Sequence, residues 1–279
     1  MNFKTILVHV DDGPTCPARI AIAAQLTHAF DAHLVGVVGM PAVELLGMVR
    51  AELGEELVRR YSDAHDARCR AAEEAFRSQA AAAGVDSLES RVLRGDIERS
   101  VATHTRYADL LIMGQPDPSA PGEGRSGHLL ESALLTGGRP VLIVPYAGRF
   151  QTVGERVLVA WNASRESTRA VTDSIPLLER ARAVTVLTAN AEASECGHGD
   201  LPGSDIALYL ARHGVRAEAA PTVARDIDVG DWLLSRAFDL EIDLIVMGAY
   251  GHSRLRELVL GGVTRSILRH MTVPVLMSH

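Results

Sequence analysis

Near-continuous apolar runs punctuate the chain, and the segments between them carry apolar residues at helical spacing. In the second part the runs are RVLVAW, AVTVLTA, VRAEAAPTV, DLIVMG and VPVLM. Between the first two, SRESTRAVTDSIPLLERA sets Ala170, Val171, Ile175, Leu177 and Leu178 at the spacing of one helical face. Strands apolar on both sides, alternating with helices, predict a parallel sheet covered on both faces.

The pattern occurs twice. KTILVHVDD (4–12) and ERVLVAWNA (155–163) open alike, and ADLLIMG (108–114) and IDLIVMG (242–248) recur further on. Each of the latter pair leads, 26 residues later, to a Pro-Val-Leu run at Pro140-Val141-Leu142 and Pro274-Val275-Leu276. RGDIERSV (94–101) and ARDIDVGD (224–231) align at their Asp-Ile pairs, which predicts helix N-caps at Asp96 and Asp226. The expected architecture is therefore two tandem domains, 1–146 and 155–279, each a doubly wound (Rossmann-like) α/β unit with a five-stranded parallel sheet. The first carries an extra helical stretch at 42–83, where the second has a short loop at 190–203 and one helix. The closing strands PVLIVPY and PVLMSH are apolar and would otherwise be exposed edges, so the halves are expected to pack through them as an intrachain pseudo-dimer.

Composition removes several classes of function. Of 279 residues, 47% are hydrophobic and only 4% aromatic, and the net charge is −7, opposite in sign to a nucleic-acid binder. Lys4 is the sole lysine, which excludes a Walker A loop and a buried Schiff-base lysine. Cys16, Cys69 and Cys196 are too far apart for a CxxC pair, and no apolar run is long enough to span a membrane. Together with the absence of a signal-like N-terminus, this predicts a cytoplasmic protein with neither a nucleic-acid nor a membrane partner.

In an open parallel sheet, ligands bind beyond the carboxyl ends of the strands. After DLIVMG the chain reads Gly248-x2-Gly251-x9-Gly261-Gly262 and enters a helix near Val263. Glycines there let backbone amides turn toward an anion, and the helix N-terminus adds partial positive charge. In the first copy Gly114 and Gly127 keep the same separation, but Asp117 and His128 replace the middle glycine and the final residue. A carboxylate is thus expected where phosphate would sit, although Asp11 and Val37 keep the pattern of the second copy's other wall. The GxGxxG at Gly122, Gly124 and Gly127 lies outside a first βα turn and is no dinucleotide fingerprint. His65 with Cys69, and the Cys196-His198-Asp200 loop, are incomplete metal sets, and His252 is the titratable side chain nearest the glycine loop. No catalytic residue and no metal site are expected.

The glycine motif, the strand before it and the ending SILRHMTVPVLM resemble the universal stress proteins in their tandem two-domain form. The resemblance implies a stress-response regulatory protein that binds ATP, with or without Mg, in its second domain. It places phosphate on Gly248, Gly251, Gly261, Gly262, Val263 and Thr264, and adenosine on Ala160, Asn162, Ala189, Met247 and Tyr250. The family usually has Asp where this chain has Asn162, and Ser or Thr where it has Gly262. It also implies a homo-oligomer or other protein partners beside the adenine nucleotide. Two alternatives stay open: a slow ATPase, for which the loops NASRES and DDGPTC lack a Ser-Gly-Gly run, and an interaction module that binds no nucleotide.

Overall fold

A computed structural model describes residues 2–40, 47–119, 123–189, 203–222, 228–251 and 262–279. The first half contributes β1 (Thr5–Val10), α1 (Cys16–Phe30), β2 (His33–Val38), α2 (Gly47–Ala82, kinked at Gly54), β3 (Leu88–Val92), α3 (Ile97–Thr105), β4 (Leu110–Gly114), α4 (Glu123–Thr136) and β5 (Val141–Val144). The second contributes β6 (Arg156–Ala160), α5 (Arg165–Leu178), β7 (Ala183–Ala189), α6 (Ser204–Arg212), β8 (Ala217–Thr222), α7 (Val229–Asp239), β9 (Leu244–Gly248), α8 (Gly262–His270) and β10 (Val275–Ser278).

The strands form one sheet ordered β3-β2-β1-β4-β5-β10-β9-β6-β7-β8. Each half is parallel throughout. The halves meet where β5 and β10 run antiparallel, with Val141 opposite Met277, Leu142 opposite Leu276 and Ile143 opposite Val275. The two closing strands, expected as the contact between halves, have become the centre of a continuous ten-stranded sheet. The true edges carry protection of another kind. β3 reads LESRV, with an Arg91–Glu89 ion pair, and β8 contains Pro221, which cannot donate to a further strand.

Side chains alternate between two cores, as the period of two along a strand requires. Ile6, Val8 and Val10 face one core, built with α1, α2, α5 and α6, whereas Leu7 faces the other, built with α3, α4, α7 and α8. The fully buried Phe76 of α2 sits where a Cβ on Gly36 would approach its ring to 2.3 Å. Bare backbone on β2 is therefore what lets this long helix dock.

Repeated residues do repeated work. The Asp109 carboxylate accepts from the backbone amides of Lys4 and Thr5, and Asp243 accepts from those of Gly154, Glu155 and Arg156. In both halves the strand after the switch thus fixes the start of the first strand. Asp96 caps α3 by accepting from the Arg99 amide. The expected partner cap at Asp226 lies outside the described residues. The cap of α7 is Asp228, which accepts from Gly230 and Asp231, so the helix begins later than the alignment of Asp-Ile pairs implies.

Candidate nucleotide site

In each half the chain order reverses between two adjacent strands, β1 and β4 in the first, β6 and β9 in the second. The crevice outside the carboxyl ends of such a pair is where open α/β sheets bind ligands. Beyond β6 and β9 lies a cavity of about 280 Å³. Its lining includes Ala160, Asn162, Met247, Gly248, Gly251, Gly262, Val263 and Thr264, eight of the eleven residues singled out from the sequence.

Local geometry explains how they converge. The Asn162 side-chain oxygen accepts from the Ser164 amide at 3.2 Å, a short turn that leaves Ala163 at φ 56°. Ser164 then caps α5 by accepting from the Ser167 amide. After β9, beside the cleft, Tyr250 stands at φ 55°, and its amide donates to the Thr264 hydroxyl at 3.2 Å. Left-handed backbone at non-glycine residues is costly, and two such residues flank one cleft.

The glycines differ in role. A Cβ on Gly248 would meet the backbone of Glu166 and Ser167 at 2.6 Å, so this residue is bare because β9 packs hard against the start of α5. A Cβ on Gly262 would meet nothing within 4 Å. The first turn of α8 is therefore open, and its amides and helix dipole face the approach of an anion.

Two expected residues stand elsewhere. Tyr250 is buried and lines a cavity between the halves rather than this cleft. The β7 side chain at the cleft is Leu187, which pairs with Ala160, and Ala189 is two residues further along the strand. Gly261 lies outside the described residues. The sequence reading missed Trp161, Ser164, Glu166, Val229 and Leu233, which complete the lining. Of these Ser164 was legible as a helix cap. Glu166 is the unusual one: its Oε2 is sealed from solvent without a hydrogen-bond partner, 3.3 Å from where a Cβ on Gly251 would stand.

The first half keeps the turn but sets charged side chains around it. The Asp11 carboxylate accepts from the Gly13 amide, as Asn162 does from Ser164, and is also ion-paired to the buried guanidinium of Arg19. Arg19 lies over Gly114, its Nη1 2.8 Å from where a Cβ would be. At the position corresponding to Ala160 stands His9, buried, its Nε2 2.8 Å from the Gly39 carbonyl oxygen and its Nδ1 3.7 Å from Asp11. Burial presses the Asp11 carboxyl upward, but Arg19 and His9 outweigh it and hold the group below the usual carboxylate range. Burial pushes His9 below the usual histidine value despite Asp11. Asp117, expected to block phosphate, instead folds its carboxylate onto the Ser119 amide and hydroxyl. Among the described residues, the carboxyl ends of β1 and β4 thus carry a charge cluster, whereas Asp117 is turned onto Ser119.

Among the described residues no group of three or more His, Cys, Asp or Glu is placed to hold a metal. Cys69 Sγ lies 3.7 Å from His65 Nε2, and burial raises its thiol. Cys196, His198, Asp200 and His252 lie outside the described residues.

The family described as the universal stress protein family matches residues 2–145 and 154–279. A universal stress protein of Synechocystis, Slr1230, is 26% identical over 203 residues, covering 70% of this chain. The match spans only 66% of that relative's length. Among solved structures, a universal stress protein from Archaeoglobus fulgidus superposes with a TM-score of 0.73 at 15% identity, covering 98% of this chain and 97% of its own. PA1789 of Pseudomonas aeruginosa, of unknown function, superposes at 0.58 with 16% identity, over 99% of this chain and 92% of its own. Likeness at this identity speaks for the fold. Among the described residues no helix is long and apolar enough to cross a membrane.

Proposed function

The chain belongs to the universal stress protein family, and we propose that it is a regulatory member that holds one ATP, in its second half. The observation that carries this reading is the contrast between the halves. One switch-point crevice is a cavity of about 280 Å³ that reaches the first turn of α8, and the other carries the charge cluster of His9, Asp11 and Arg19 at its strand ends. Ala160, Leu187 and Met247 offer an apolar slot for a base, Asn162 offers polar atoms for a ribose, and the α8 amides suit phosphate.

Glu166 decides the form of the nucleotide. A bare polyphosphate reaching α8 would enter a cavity that this carboxylate also lines, and like charge repels there. Magnesium, when bound with ATP, supplies the neutralising charge, and a carboxylate oxygen with no other partner is a fitting neighbour for it. Binding is expected to weaken on chelation of Mg, and Glu166→Gln to reduce that dependence.

Among the described lining residues Glu166 is the one carboxylate, and no histidine, cysteine or lysine stands with it, which supports binding rather than turnover. Two assays separate the readings. Stabilisation of the thermal transition by Mg-ATP, with no multiple-turnover phosphate release, is the expected result. Steady phosphate release would favour the ATPase, and no stabilisation would favour an interaction module. The charge balance suits a cytoplasmic setting, and protein partners are the natural output of such a device.

A further inference from the structure

A second and larger cavity, about 540 Å³, lies on the seam between the halves, in the size range of small-molecule sites. Pro116, Pro118, Leu130 and Tyr146 line it from the first half, and Leu268 of α8 from the second. Into this apolar space α8 also brings Arg265 and Arg269, one turn apart.

Neither guanidinium has an ion pair or a side-chain hydrogen bond among the described residues. Like charges at this spacing disfavour a helix slightly. Capping does not account for Arg269, because the Leu268 and Arg269 carbonyls are already taken by the Gln115 side chain, at 2.9 and 3.2 Å. Among the described lining residues the one acid is Glu131 of α4, which forms no ion pair with either arginine. Counting from the paired motifs at 108 and 242, Glu131 and Arg265 hold matching positions in the two halves (131 + 134 = 265). Matching positions on the two flanking helices thus carry opposite charges that do not close on each other. His270, also in the lining, is engaged by Asp231 at 3.6 Å.

We infer that the seam cavity is a second binding site, separate from the nucleotide cleft, for a compact monoanion with an apolar or aromatic body. Arg265 and Arg269 hold the acid group, while the prolines, leucines and Tyr146 hold the body. Glu131 leaves one net positive charge from the charged side chains, which suits a singly charged carboxylate or sulfonate and disfavours a polyphosphate.

The full chain is titrated with 8-anilinonaphthalene-1-sulfonate, an aromatic monoanion whose emission rises in apolar surroundings, with neutral N-phenyl-1-naphthylamine as control. One saturable site is expected, unaffected by saturating Mg-ATP. The double variant Arg265→Gln, Arg269→Gln should lose at least tenfold in affinity for the sulfonate and little for the neutral probe. Gly127→Leu provides an independent block: a Cβ there meets nothing within 4 Å, so the side chain can enter the cavity without disturbing the helix. It should abolish sulfonate binding and leave ATP binding intact. The inference is overturned if no saturable site is found, if Mg-ATP displaces the probe, or if either variant binds within tenfold of the parent. None of these outcomes bears on whether ATP occupies the other cleft.

Discussion

At the scale of single residues, Gly248 and Gly262 show why spacing reveals a motif but not its division of labour. Both belong to the glycine pattern, yet one is bare for packing and the other for access. Gly248→Ala forces a Cβ against the α5 backbone and is expected to cost roughly 1–3 kcal/mol of stability in denaturant unfolding. Gly262→Asp should leave the fold intact, since a negative charge at the start of α8 favours the helix by about 0.3–1 kcal/mol, but should compete with phosphate for the same amides. The substitution Gly127→Asp, at the first half's glycine, is expected to leave ATP affinity unchanged. His9 and Arg19 gave no signal in the sequence, because a buried charge cluster has no characteristic spacing. They do give a pH signature. Because burial depresses His9, the unfolded chain takes up a proton near pH 6.5 that the folded chain refuses, so stability falls as pH drops from about 6.5. His9→Gln, which can still donate to Gly39, should flatten the decline between about pH 6.5 and 5 in unfolding curves. Asp11, held low, adds stability above about pH 4 that is lost below it. A pH slope unchanged by His9→Gln would refute the assignment.

At the scale of elements, the alternation of strands and helices was legible because strands buried on both faces leave unbroken apolar runs. Helix starts were less so. Asp226 and Asp228 are both plausible caps, and only the three-dimensional turn selects Asp228. The role of Gln115 was invisible from sequence, since it depends on α8 arriving from 153 residues away. Its buried side chain donates to two α8 carbonyls and accepts from the Tyr146 amide at 3.1 Å, tying the two halves together. Gln115→Ala strands these groups and is expected to destabilise by roughly 1–3 kcal/mol. Gln115→Glu should be worse, because a carboxylate cannot donate to the carbonyls. On the opposite face, Phe76→Ala removes the ring seated over Gly36 and should cost about 3–5 kcal/mol.

At the scale of the molecule, duplication has produced one sheet with two unequal crevices. Pairing β5 with β10 buries what would be an apolar edge in each half. Separately expressed halves are therefore expected to aggregate or to associate with each other, and two stable monomers without mutual affinity would contradict the arrangement. The same duplication leaves room for divergence: the turn at Asp11 and at Asn162 is shared, but among the described residues lining the second half's crevice Glu166 is the one charged side chain. Calorimetric titration of the full chain with Mg-ATP measures this asymmetry directly. One site per chain, lost in Gly262→Asp and retained in Gly127→Asp, is the predicted result. Two equivalent sites, or a single site that survives Gly262→Asp, would contradict it.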